Sequence, residues 1–189
     1  MINGILDVGA LFIDGSNRGM AIKWLNLSDK TKIDYSIYIE SDSIVVCDCQ
    51  YQHHAFVTSP ASERIDHYVI YLDEVHTTGT DFKFPNEFCA AVTLGNCITK
   101  DRFVQVCIRM RKLGKYHWLT FWSSHEVDQQ IRLLKKNVLQ QSQNKKIHLI
   151  DILRWVYENT QQTTRDGLHH WSTQSLSYQR KVSVFQHIQ

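Results

Sequence analysis

Short apolar runs alternate with amphipathic stretches along most of the chain. Residues 10–13 read as a strand stopped by Asp14-Gly15, with a helix over 17–25 behind it. Residues 36–40 and 43–47 are β-rich and separated by Ser41-Asp42, the pattern of a hairpin. The mostly apolar runs YVIYL (68–72) and AAVTL (90–94) predict buried strands. A helix is expected over 99–113, a strand over 117–122 and a helix over 124–137. The polar stretch QQSQNKK (140–146) reads as a linker, and 147–188 as a helical extension. Strand and helix in alternation predict an α/β domain, an open and mainly parallel sheet, over about 5–138.

Composition narrows this reading without redirecting it. A chain of 189 residues suits one compact domain, and the hydrophobic fraction of 43% supplies a core. Lys and Arg number 21 against 19 Asp and Glu, so no global charge draws the chain to nucleic acid. Five cysteines, Cys47, Cys49, Cys89, Cys97 and Cys107, do not suggest a disulfide framework. No apolar run approaches a membrane span, and the first residues lack the basic start of a signal peptide. An intracellular setting, cytoplasmic or nuclear, is expected. The abrupt end at Gln189 suggests a piece of a longer protein.

The segment TKDRFVQVCIRMRKLG (99–114) carries the most information. Wound as a helix, it lines Phe103, Val106, Cys107, Met110 and Leu113 along one stripe. Arg102, Gln105, Arg109 and Lys112 fall on another. A row of guanidinium, amide and ammonium groups suits phosphate oxygens. Upstream, an apolar strand runs into Asp73-Glu74-Val75-His76, and Gly79-Thr80-Asp81 follows.

Thr78-Gly79-Thr80-Asp81 and Gln105-x-x-x-Arg109-x-x-Lys112-x-Gly114 resemble motifs V and VI in the second RecA-like lobe of superfamily 2 helicases. They are also similar to the G-R-G-T-D and Q-x-x-G-R-x-G-R-x-G of preprotein-translocation ATPases. The closer resemblance is to very large eukaryotic proteins labelled ubiquitinyl hydrolases, in which Y-L-D-E-x-H-T-R-G-T-D leads to A-V-T-L-G, T-K-D-R and R-M-R-K-L-G. It covers about 5–135 and is most specific over 68–122. It implies a RecA-like lobe within a thiol-dependent deubiquitinating protein, with ubiquitin as a possible partner. It also implies that Gly79, Thr80 and Asp81 form part of a phosphate and interlobe site, with Gly79 letting backbone approach phosphate and Asp81 relaying between the nucleotide and the other lobe, that Arg109 acts as a finger, and that the rest of the parent protein or a partner lobe completes the site. Thr78 stands where both families carry Arg, and Ile108 and Arg111 replace helicase glycines.

No G-x-x-x-x-G-K-[ST] loop occurs, so Asp73 and Glu74 have no magnesium-phosphate to serve within this chain. ATP and magnesium would need a partner lobe. Cys97, between a strand and a helix start, is a candidate nucleophile with His117 or His125 as its base, against the commoner reading of a structural cysteine. Cys47-x-Cys49 with His53-His54 departs from zinc-site spacing, and no metal is expected. Trp118, Phe121 and Trp122 read as sheet core.

Overall fold

The computed structural model describes residues 2–13, 15–64, 66–79, 82, 84–139 and 146–186. In chain order the elements are β1 (Gly4–Leu6), α1 (Asn17–Leu27), β2 (Tyr35–Glu40), β3 (Ser43–Asp48), β4 (His53–Ala55), β5 (Tyr68–Leu72), α2 (His76–Gly79), β6 (Phe88–Leu94), α3 (Lys100–Arg109), β7 (His117–Ser123), α4 (His125–Leu139) and α5 (Leu149–Gln186). They build an α/β fold on one seven-stranded sheet of order β4-β3-β2-β5-β1-β6-β7. The five strands β2, β5, β1, β6 and β7 are parallel, and the β2-β3-β4 meander is antiparallel. Among the described residues no helix is long and apolar enough to cross a membrane.

Alternation along the parallel strands sorts two faces. Leu6, Ile70, Leu72, Ala90, Val92 and Leu94 join Phe103 and Val106 of α3, Val127 and Ile131 of α4, and Ile152, Trp155 and Val156 of α5. On the other face Val69 and Tyr38 meet Ala21 and Leu25 of α1, and Ile5 and Tyr71 meet Met20. Each large aliphatic or aromatic side chain so buried contributes about 1.5–3 kcal/mol. One face therefore carries three helices and the other carries one.

Local chemistry explains most boundaries. Ser16 caps α1, its hydroxyl accepting the Gly19 N–H at 3.1 Å, a cap that contributes about 1 kcal/mol. Ser41 and Asp42 both adopt left-handed φ (49° and 61°), as a two-residue hairpin loop requires. The expected strand over 10–13 is absent. The Asp7 carboxylate accepts the amides of Leu11 (2.9 Å) and Phe12 (3.2 Å), so the chain curls around it instead of pairing.

Helix α3 stops at Arg109, short of the expected 113. The Met110 N–H bonds to the Cys107 carbonyl, tight turns follow, and Gly114 takes φ 80°. Residues 140–145 of the expected linker lie outside the described residues. Beyond them, the first turns of α5 pack on α4 and the sheet, with Ile152, Trp155 and Val156 buried. The Asp151 carboxylate meets the Lys135 ammonium of α4 at 2.7 Å, and the Trp155 Nε1–H donates to Gln130 at 3.0 Å. From Gln162 through Tyr178 the helix is exposed.

The aromatic trio of β7 divides. Phe121 faces the helical layer and stacks on Phe103 at 5.5 Å between centroids. Trp118 and Trp122 point to the α1 side, where α1 packs on β2 and β5, and remain 48% and 37% exposed. They are not sheet core in this chain, because α3, α4 and α5 all return on the opposite face.

Candidate functional site

The chain leaves β1 toward β2 on one side and β6 toward β7 on the other, so the strand order reverses between β1 and β6. Outside the carboxyl ends of such a pair, open α/β sheets place their ligands. Here that position is filled from within. Asp7 is buried and accepts from Thr93 Oγ1 (2.7 Å), Tyr71 OH (3.2 Å) and the Leu11 and Phe12 amides. Thr93 Oγ1 in turn accepts the Gly9 N–H at 2.9 Å. Burial first, and then the Asp7 charge, push the Tyr71 phenol above its ordinary range.

The loop after β1 also touches the loop after β6. A Cβ built on Gly95 would stand 2.1 Å from the Gly9 carbonyl oxygen, and one on Gly9 would stand 2.2 Å from the Gly95 nitrogen. No side chain fits at either position, so the two backbones meet directly. Every amide from Val8 to Phe12 has an internal acceptor: Val8 bonds to Leu6, Gly9 to Thr93, and Ala10, Leu11 and Phe12 to Asp7. A phosphate-binding loop needs free N–H groups and space. Here the amides from Val8 to Phe12 are bonded internally, and Gly9 and Gly95 leave no room between their backbones.

The acidic residues singled out by sequence sit at the rim. Asp73, one residue past β5, accepts from Asn17 Nδ2 (2.8 Å) and from the His76 amide (2.9 Å) and ring Nδ1 (2.6 Å). Asn17 Nδ2 also reaches the Ile39 carbonyl at 3.0 Å, stitching the start of α1 to the ends of β2 and β5. The other His76 ring nitrogen lies 3.5 Å from Asp42. Burial opposes ionisation of Asp73, but the bonds from Asn17 and His76 outweigh it and hold the carboxyl below its ordinary range. Glu74 pairs with the Arg102 guanidinium. With Val8, Val75, Asp101 and Gln105 they line an open crevice of about 520 Å³ holding two acids and one base.

Comparison with protein-family models, with curated proteins and with solved structures finds no match to this chain.

The row expected on α3 is not assembled. Arg102 and Gln105 lie at the crevice, whereas Arg109 is half-buried in the last turn, about 10 Å further along the axis. Lys112 lies beyond the helix, its ammonium 2.6 Å from Asn86 Oδ1 at the amino-terminal edge of the sheet. The helix carries these groups past the sheet from one edge to the other, so they do not converge on one ligand. Gly79 ends α2; Thr80 and Asp81 lie outside the described residues.

The thiol pair is not formed either. Cys97 is exposed in the turn after β6, in left-handed φ (64°), at the carboxyl edge. His117 opens β7 in register with Phe88, about 20 Å back along the sheet. It is buried, with Nε2 bonded to the Pro85 carbonyl (2.9 Å) and Nδ1 accepting the Lys112 amide (3.3 Å). With both nitrogens engaged, His117 is a structural histidine joining β7 to the turn before β6. His125 stands at the carboxyl edge, its Nε2 2.8 Å from Gln129 Nε2.

The Cys47, Cys49, His53 and His54 side chains have separate partners. Cys47 is buried under α1, and the Cys49 thiol donates to the Asp34 carbonyl at 3.3 Å. His53 meets Tyr38 OH at 2.9 Å, and His54 meets Asp48 at 3.3 Å. Sequence reasoning missed Asp7, Thr93 and Asn17. Asp7 had a signal, an acid ending the short apolar run Gly-Ile-Leu ahead of a glycine.

Proposed function

We propose that this chain is a RecA-like lobe without nucleotide chemistry of its own, used as a contact module inside a larger protein of the ubiquitinyl-hydrolase type. The observation that carries this reading is the sealed switch point, where Gly9 meets Gly95 and the amides of 8–12 are spent internally. The split of Arg102 and Gln105 from Lys112 supports it, and so does the separation of Cys97 from His117. In this reading any thiol-dependent cleavage of ubiquitin, and any ATP and magnesium, belong to other parts of the parent protein or to a partner lobe. The crevice around Glu74, Arg102 and Gln105 then serves contact between lobes.

Two measurements test the reading. Thermal unfolding with magnesium and a non-hydrolysable ATP analogue at millimolar concentration is expected to leave Tm unchanged, because a ligand stabilises only what binds it. A rise above about 2 °C, corresponding to roughly 0.5–1 kcal/mol in a chain of this size, returns the lobe to nucleotide binding. A ubiquitin probe with a thiol-reactive C-terminus is expected to form no adduct. An adduct that disappears in Cys97→Ala would make Cys97 a nucleophile.

A further inference from the structure

An edge strand presents a row of backbone N–H and C=O groups, and folds ordinarily blunt it by short length, charge, proline or a bulge. One edge of this sheet obeys the rule: β4 has three residues, two of them histidine. The other does not. β7 has seven residues, and Trp118-Leu119-Thr120-Phe121-Trp122 carries no charge and no proline. Its register with β6 runs unbroken from His117 to Ser123, so no bulge interrupts it.

Alternation decides which groups face outward. His117 gives its N–H to the Lys112 carbonyl and accepts the Gly114 N–H, both on the side away from β6. Leu119 and Phe121 therefore also turn their backbone groups outward, and among the described residues no partner meets them there.

The side chains form a near palindrome about Thr120. Trp118 and Trp122 stand two residues to either side of it on the α1 face, half-exposed. Leu119 and Phe121 stand one residue to either side, packed against the core on the helical face. An antiparallel copy of this strand, related by a twofold axis through Thr120, sets Leu119 against Phe121 of the second copy. Those are the residues with free outward groups, so the hydrogen-bonded pairs fall on them. Trp118 then meets Trp122 of the second copy at a non-hydrogen-bonded position, where facing side chains come closest and aromatic pairs are favoured. No like charges meet across these five residues. A foreign strand makes no demand for such symmetry, whereas an isologous pair does.

We propose that β7 pairs antiparallel with β7 of a second copy of this chain, joining the two seven-stranded sheets into one. The proposal stands on the edge strand alone and goes beyond the contact-module reading.

Sedimentation of the whole chain up to tens of micromolar is expected to show a dimer. Trp118→Lys and Trp122→Glu should each weaken it by about tenfold, since each removes both symmetric indole pairs. Circular dichroism checks the fold of each variant. A cross-link tests the register without weakening anything. In a Cys97→Ser background, which removes the exposed thiol, Thr120→Cys is expected to give a disulfide-linked dimer with oxidised glutathione. Facing residues at that position lie about 4.5 Å apart between Cα atoms, within disulfide reach. Ser123→Cys in the same background should not cross-link, because its two copies would stand about 20 Å apart. A monomer at tens of micromolar, a dimer indifferent to both tryptophan variants, or Ser123→Cys cross-linking as fast as Thr120→Cys would overturn the proposal. None of these outcomes bears on a nucleotide-induced Tm rise or a ubiquitin adduct, so failure here leaves the proposed function standing.

Discussion

Two groups of acids stand within one loop of each other at the carboxyl edge of the sheet, and the fold treats them differently. Asp7 is enclosed, and two backbone amides and two hydroxyls converge on it. Asp73 and Glu74 sit at the rim, paired with Asn17, His76 and Arg102 where water also reaches them. The rim carries the motif-like spelling; the enclosed acid carries the architecture. A buried acceptor with no replacement partner costs its full desolvation, whereas water takes over at an exposed one.

The sharpest way to break this comparison is at the contact that encloses Asp7. Gly95→Ala would push a methyl into the Gly9 backbone, with no flexible side chain to yield. A loss of about 3 kcal/mol or more is expected, read as a drop in the urea midpoint and a Tm lower by about 10 °C. A neutral Gly95→Ala would mean the two loops do not touch in solution.

Asp7→Ala comes next, at about 2–3 kcal/mol, because it strands Thr93, Tyr71 and two amides together. Equilibrium unfolding measures it. The same substitution at Glu74 should cost far less, and equal costs would erase the distinction between enclosed and rim acids.

Acidification is expected to act on the rim more gently. The Asp73 carboxyl is held below its ordinary value of 3.8 in the fold. Its ionised form therefore adds stability that is complete above about pH 5 and fades as pH falls through the folded value. Amide protection factors at the start of α1, tethered through Asn17, should fall as pH drops below the ordinary carboxyl value of 3.8. Asn17→Ala should flatten that dependence. An unchanged profile would show that the Asn17–Asp73 bond does not couple α1 to β5.

The smallest effect belongs to the exposed pair. Glu74→Ala and Arg102→Ala should each change stability by no more than about 0.5 kcal/mol. A larger change in either would give the rim a structural role it does not have in this account.

Periodicity made much of the architecture legible. Val69, Ile70, Tyr71 and Leu72 read as a buried strand because a parallel strand is covered on both faces, and 17–25, 90–94 and 117–122 were equally plain. The failures have physical causes. Residues 10–13 have the apolar content of a strand, but the Asp7 carboxylate captured the Leu11 and Phe12 amides. Lys112 has helical spacing from Arg109, but the helix ends before it. His117 looked like a base beside Cys97, yet a parallel register separates the start of one strand from the end of its neighbour.

What the sequence by itself determined is the set of elements, since apolar period and turn residues act over a few positions. What only the tertiary structure decided is which groups meet. The Gly9–Gly95 contact spans 86 residues, Thr93 reaches Asp7 across the same separation, and Trp118 and Trp122 are exposed because three helices chose the other face. Those outcomes depend on strand order, and strand order is settled by packing between segments far apart in the chain.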